Sequence, residues 1–324
     1  MGQPTNTFSA YDAVGVREDL QDAIYNVSPE ATPVLSAGRR FTAKQKFHEW
    51  QRDSLATPNK DNAVIEGDDR TGTALTATTR VGNYVQLFDA VAVVTSTNEK
   101  SKKAGRSSEM KYQIAKKYKE LKRDVEAMIT SGNPAVAGND STARKSGGLG
   151  VFLYTNTSHG GAGATVAHTS GAPTTANTAG TNRAFAESQI KTVMQSIYTN
   201  SGEMPTLVAL TPSHKAGFSA FTGIASTRFN MDSKKGQAAI IGGADVYLSD
   251  FGKLTVVPNY VMATSNPNAS FILNPDTYGV AYLQGWNSEP LAKTGHTDKE
   301  MVSAELCLVV TSESSNGKVD NLTA

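Results

Sequence analysis

The 324-residue chain has a single cysteine, Cys307, which excludes an intrachain disulfide framework and any cysteine-rich zinc site. One lone thiol fits a reducing compartment. Neither sign of charge is in excess: 31 Lys and Arg stand against 30 Asp and Glu, a formal net charge of +1. A dedicated nucleic-acid binder usually carries a clustered basic surplus, so near-neutrality argues against that class. No apolar run approaches the ~20 residues that cross a bilayer. The amino end lacks a basic-then-apolar signal pattern, because Asp12, Arg17, Glu18 and Asp19 interrupt it early. A soluble intracellular protein, with no membrane partner, is the expectation.

Catalytic signatures are missing too. The chain holds no G-x-x-x-x-G-K-[ST], no G-x-G-x-x-G after a strand, no G-x-S-x-G, no H-E-x-x-H and no C-x-x-C. His159 and His168 fall in a Gly/Ala-rich tract and are expected to be solvated loop residues rather than metal ligands. His48 lies beside Trp50 and is expected to pack; His214 follows a helix cap and reads as structural. Asp68 and Asp69 are neighbours on extended backbone, so their side chains point opposite ways, unlike the converging carboxyls of an acid/base pair. Cys307, in the apolar run ELCLVV, reads as a small core hydrophobe. No catalytic, cofactor-binding or metal-ligating residue is assigned, and a structural or binding protein becomes the leading class.

What is present is a long amphipathic helix. Over Ser107–Ser131, Met110, Ile114, Tyr118, Leu121, Val125 and Met128 recur at steps of three and four and share one stripe. Ser107 or Ser108 caps the amino end, and Gly132 with Pro134 stops the carboxyl end. Such a helix is ~37 Å long and needs a surface along its stripe. Before it, Arg17–Ile24 reads as a short helix, and Ser28-Pro29 and Thr32-Pro33 as an extended strap. Phe41–Trp50 and Thr73–Thr95 read as the two arms of a long hairpin, with a charged tip over Ala56–Gly72. Because a lone two-stranded hairpin is marginal in water, another surface must support it. After the helix, Asn133–Arg183 is dominated by Gly, Ala, Ser, Thr and Asn, with a short apolar interlude at Leu149–Tyr154, and is expected to form a flexible excursion or a surface-exposed loop. From Ala184 short helices and strands alternate, the first helix carrying Ile190, Val193, Met194 and Ile197 on one face and closed by Asn200-Ser201-Gly202, which predicts a compact α/β or α+β unit. Phe271–Leu273, Tyr278–Leu283 and Met301–Thr311 close the chain as strands, followed by a polar tail from Ser312.

This order of parts resembles the major capsid proteins of tailed bacteriophages with the Hong Kong 97-type fold. The wording is most similar from Arg80 to Ile129, in TTRVGNYVQLFDAVAVVTSTNE and KKAGRSSEMKYQIAKKYKELKRDVEAMI. The resemblance implies an α+β capsid fold with an amino-terminal arm (1–40), an extended loop (41–94) and a peripheral domain (95–183) built on the spine helix 107–131. An axial domain (184–258) and returning strands with the tail (259–324) would follow. It implies self-assembly into hexamers and pentamers of an icosahedral virion shell that encloses double-stranded DNA, assembled in the host cytoplasm. Portal, separate scaffold and decoration proteins are the implied partners, the DNA contact being weak and non-specific. On that layout Phe47, Trp50, Glu66, Asp68, Asp69, Arg70, Lys116, Glu120 and Arg123 are the candidates for contact between subunits. An encapsulin-like nanocompartment shell and a soluble enzyme without recognised motifs are the alternatives.

Overall fold

The structure is a computed structural model and describes residues 31–69, 72, 74–221 and 245–323. Most of the expected amino-terminal arm, and the short helix expected at Arg17–Ile24, lie outside the described residues. The first element, α1 (Pro33–Ala37), is one turn opened by Pro33, whose fixed φ suits the first helical position. β1 (Arg39–Thr42) then runs to the hairpin of β2 (Phe47–Arg52) and β3 (Thr79–Tyr84), which pair antiparallel from Phe47↔Tyr84 to Arg52↔Thr79. β4 (Gln86–Thr95) leaves the hairpin and leads through α2 (Ser96–Lys100) into α3 (Glu109–Thr130). The arm expected at Thr73–Thr95 is therefore two strands, broken at Val85, that belong to different sheets.

Ser108 caps α3, its hydroxyl accepting from Lys111 N–H, and the Glu99 carboxylate accepts from the N–H groups of Glu109 and Met110. The Ser108 hydroxyl also donates to Glu99 at 2.7 Å, and the bonds to Glu99 hold its carboxyl below the usual range, that from Ser108 contributing most. Leu121, Val125 and Met128 of the expected stripe are buried, and Ile114 and Tyr118 flank them half-covered.

Beneath α3 lies a four-stranded sheet in the order β1–β10–β11–β4, where β10 (Tyr278–Leu291) and β11 (Thr297–Val310) form a long antiparallel pair. Alternation sorts its residues: Phe88, Val302, Ala304, Leu306 and Leu308 face the core beneath α3, whereas Cys307 and Val309 face a smaller cluster with Ala43, Val85 and Ala281. β1 joins β10 in parallel because Gly279 has no side chain; a Cβ there would lie 2.0 Å from the carbonyl oxygen of Arg39.

Next come α4 (Leu149–Phe152), β5 (Thr157–Ser158), α5 (Glu187–Ser201), β6 (Leu207–Leu210) and α6 (Pro212–Ser219). β7 (Val246–Ser249), β8 (Gly252–Pro258), α7 (Met262–Ser265), β9 (Ser270–Leu273) and, after β11, β12 (Gly317–Val319) complete the elements of the described residues. A second, six-stranded sheet runs β5–β12–β9–β6–β8–β7. Its β6 reads as an unbroken apolar run because both faces are covered: Val208 and Leu210 pack with Ile190, Val193, Met194 and Ile197 of α5, and Leu207 and Ala209 join the core under α3.

Two low-apolar stretches are more firmly tied than their composition predicts. In 133–183, Leu149, Val151, Phe152 and Leu153 are fully buried, and buried Asn83 binds Ser146 Oγ, the Gly147 carbonyl and the Leu308 carbonyl while accepting from Gly147 N–H. The tail from Ser312 also turns inward. Glu313 accepts from the N–H groups of Tyr154 and Thr155, and buried Lys318 donates to the Gly150 carbonyl and pairs with Asp320 at 2.6 Å. Satisfied polar groups replace apolar area in both places.

One carboxylate joins strap to spine. Glu126, fully buried within the helix stripe, accepts from Val34 N–H (2.9 Å), Leu35 N–H (2.7 Å) and Asn259 Nδ2 (2.6 Å). Burial raises its pKa, while these three donors oppose the rise. Replacing Glu126 by Ala strands the donors in the interior and should lower stability by ~3 kcal/mol, with Gln costing about half as much. Urea unfolding of the dissociated full-length chain measures both; equal or negligible losses would contradict the clamp.

Candidate assembly surfaces

The hairpin root is anchored inside its own chain. Trp50 Nε1 donates to the Val310 carbonyl at 3.0 Å, its ring lies 6.1 Å from that of Phe152, and Arg52 Nη2 donates to the same carbonyl at 2.8 Å. Phe47 packs tilted against its cross-strand partner Tyr84, with centroids 4.7 Å apart, and Arg80 bridges to Glu49. Phe47 and Trp50 thus sit half-buried at the root, where their rings fix the direction in which the hairpin leaves the body.

Beyond Arg52 and before Thr79 the backbone carries no regular pairing among the described residues. Glu66, Asp68 and Asp69 are exposed at the tip, where the Asp68 N–H donates to the Ile65 carbonyl and Gly67 takes φ +84°; Arg70 lies outside the described residues. Four apolar side chains keep the acids company there: Leu55 and Leu75 are each 98% exposed, and Val64 and Ile65 are largely uncovered. Sequence reasoning marked only the charges. The missed signal is the scatter of single Leu, Val and Ile residues in a run too polar to register as a strand.

On α3, Lys116 and Lys117 both reach Glu120, at 3.8 and 2.8 Å, as i,i+4 and i,i+3 pairs. Glu120 and Arg123 line a cleft of about 430 Å³ between α3 and α7, together with Asp124, Tyr260 and Val261. Burial raises the Asp124 carboxyl, with Arg123 acting against it. The structure does not bring the tip residues and the spine residues together within one chain: the former are exposed at the hairpin end, and the latter line α3.

Two further apolar edges stand uncovered. The face of β4 turned away from α3 presents Leu87, Val91 and Val93, and the edge strand β7 presents Val246 and Leu248. The histidines expected in solvent are inside instead: His168 is only 9% exposed, and His159 lies near Asp320. His214 is buried, with Nε2 3.1 Å from the Thr323 carbonyl. Among the described residues no group of three or more His, Cys, Asp or Glu side chains is placed to hold a metal, and no helix is long and apolar enough to cross a membrane.

The fold compares well with solved structures. A chain from Gordonia phage Cozz superposes with a TM-score of 0.61 at 10% identity, over 99% of this chain and 97% of its own. The capsid of a native GTA particle gives 0.60 at 13% identity, over 97% and 98%. The SrpI encapsulin of Synechococcus elongatus gives 0.54 at 10%, over 96% and 92%. These likenesses establish the α+β, Hong Kong 97-type architecture expected from the sequence. The major capsid protein of Escherichia phage Phieco32 is 30% identical over 246 residues, which span 66% of this chain and 68% of that one. With a spine helix over a four-stranded sheet, a pinned hairpin and a family model matching residues 3–323, the chain belongs to the SU10 major capsid protein family.

Proposed function

We propose that this chain, a major capsid protein of the tailed-phage type, closes its shell by laying the hairpin of each copy on the body of the next within hexamers and pentamers. One observation carries the reading: Leu55, Val64, Ile65 and Leu75 stand in solvent at the end of a hairpin whose root is rigidly pinned. Burying such side chains is worth ~1.5–3 kcal/mol each, so each repeated contact is weak and many together are strong. Charge supplies the register. The tip carries Glu66, Asp68 and Asp69, and the exposed side of α3 carries Lys111, Lys116 and Lys122, so the tip of one copy has a complementary surface on the spine of another. Arg123 and Glu120, in the cleft beside α7, extend that surface. The role is structural, and nothing in it calls for catalysis by this chain.

Double-stranded DNA is the proposed content, touched weakly, since a net charge of +1 adds little counterion-release affinity. A portal, separate scaffold and decoration proteins, and assembly in the host cytoplasm, belong to the same proposal. Likeness to an encapsulin keeps a second reading in view, a nanocompartment shell around protein cargo. Nuclease treatment of purified native particles separates them: protected DNA is expected, and particles that hold only protein would favour the compartment.

Deleting Ala56–Gly72 should leave a chain with unchanged circular dichroism that no longer sediments as a closed shell. Normal particles from that deletion would remove the hairpin from the assembly mechanism.

A further inference from the structure

The neutral imidazole of His168 occupies a place where a charged one does not fit. Its ring meets Phe152 edge-on at 5.2 Å and Tyr154 at 4.8 Å, its Nδ1 lies 3.5 Å from the Val166 carbonyl, and its Nε2 is buried with no partner. Three residues on, the same segment adds a rung to the hairpin: Gly171 N–H donates to the Arg80 carbonyl and Gly82 N–H donates to the Gly171 carbonyl, both at 2.9 Å. The strap around His168 is therefore a third edge of the hairpin root, alongside the β2–β3 pairing.

The charged and titratable groups against the ring are Arg52 on β2 and Tyr154 after α4, and Glu313 after β11 acts on both of these. The Glu313 carboxylate is occupied by Tyr154 N–H, Thr155 N–H and the Thr155 hydroxyl. Arg52 carries a positive charge beside the ring, and its own Nε is buried without a partner. A second cation in this apolar space would be poorly solvated and repelled.

We propose that His168 is an acid-sensitive pin: uncharged, it holds residues 166–172 on β3, and on taking up a proton it leaves its aromatic pocket and frees the root on which the hairpin pivots. This reading needs no particular partner for the hairpin and stands independently of the assembly proposal.

Burial, the largest cause, lowers the His168 pKa from 6.5 to about 4, with Arg52 acting in the same direction. The docked form is thus the weaker base, so docking is at full strength above pH 6.5 and is lost as pH falls toward 4. A released ring titrating at its ordinary value makes the strap's docking equilibrium about thirtyfold weaker at pH 5 than at pH 7.5.

Hydrogen exchange of the full-length chain tests this, with rates corrected for the intrinsic pH dependence of exchange. Between pH 7.5 and pH 5, protection at Gly82 and Gly171 should fall about thirtyfold while β6 holds its protection. His168→Phe, which fills the pocket without titrating, should keep protection at both pH values. Unchanged protection in the unsubstituted chain, or an equal loss in the variant, would overturn the proposal. Should the variant fail to fold, the nuclear magnetic resonance titration of the His168 ring in the unsubstituted chain decides: an inflection near pH 4 supports the pin, and one near 6.5 overturns it.

Discussion

The packing of α3 across β4 and β11 is the contact on which the rest depends. Leu121, Val125, Met128 and Ile129 interlock with Phe88, Val302, Ala304 and Leu306 in one cluster, which continues into Leu207, Ala209, Phe271 and Leu273 of the six-stranded sheet. A helix covers only a narrow stripe, so the sheet is closed on the α3 side while Leu87, Val91 and Val93 on the other side of β4 stay open. Burying about a dozen large side chains in that seam, at ~1.5–3 kcal/mol each, is the main force that sets the two sheets relative to one another. A polar group inside the seam is tolerable only when fully bonded, which is the position of Glu126.

From this seam both outer parts of the chain take their direction. Glu126 fixes the turn at Val34 and Leu35 against α3. The Val310 carbonyl, at the end of β11, receives Trp50 and Arg52 and so fixes where the hairpin departs. The body thereby holds the bases of α1 and the hairpin in place, while the hairpin end beyond lies on no surface of its own chain among the described residues. A shell subunit needs that combination, a rigid origin and an unfinished end, because the same local geometry must recur in every copy.

The parts of the fold that were legible in the sequence are those set by periodicity. The expected spine over Ser107–Ser131 is α3 at Glu109–Thr130, and Ile190, Val193, Met194 and Ile197 all face inward from α5. Gly202 ends that helix at φ +68°, as Asn200-Ser201-Gly202 suggested. What stayed hidden was held by polar bonds rather than apolar pattern. β12, with Lys318 in its middle, looks like a tail until the ammonium is seen to bind Gly150 and Asp320. His168 looked like a solvated loop residue because the rings that enclose it, Phe152 and Tyr154, belong to a separate short apolar run earlier in the same tract. Among the candidate contact residues, the charges at the tip were readable. The four exposed apolar residues flanking them were not, since no period marks them.

The central claim is that identical copies finish what one chain leaves open, and thiol labelling at the hairpin end tests it most directly. The background is clean: Cys307 is fully buried, and burial pushes its thiol up to about 12. Leu55→Cys and Leu75→Cys should react with a water-soluble maleimide at the rate of a free peptide thiol in the dissociated chain, and become strongly protected in assembled particles. Equal reactivity in the two states, or protection already present in the solitary chain, would contradict it.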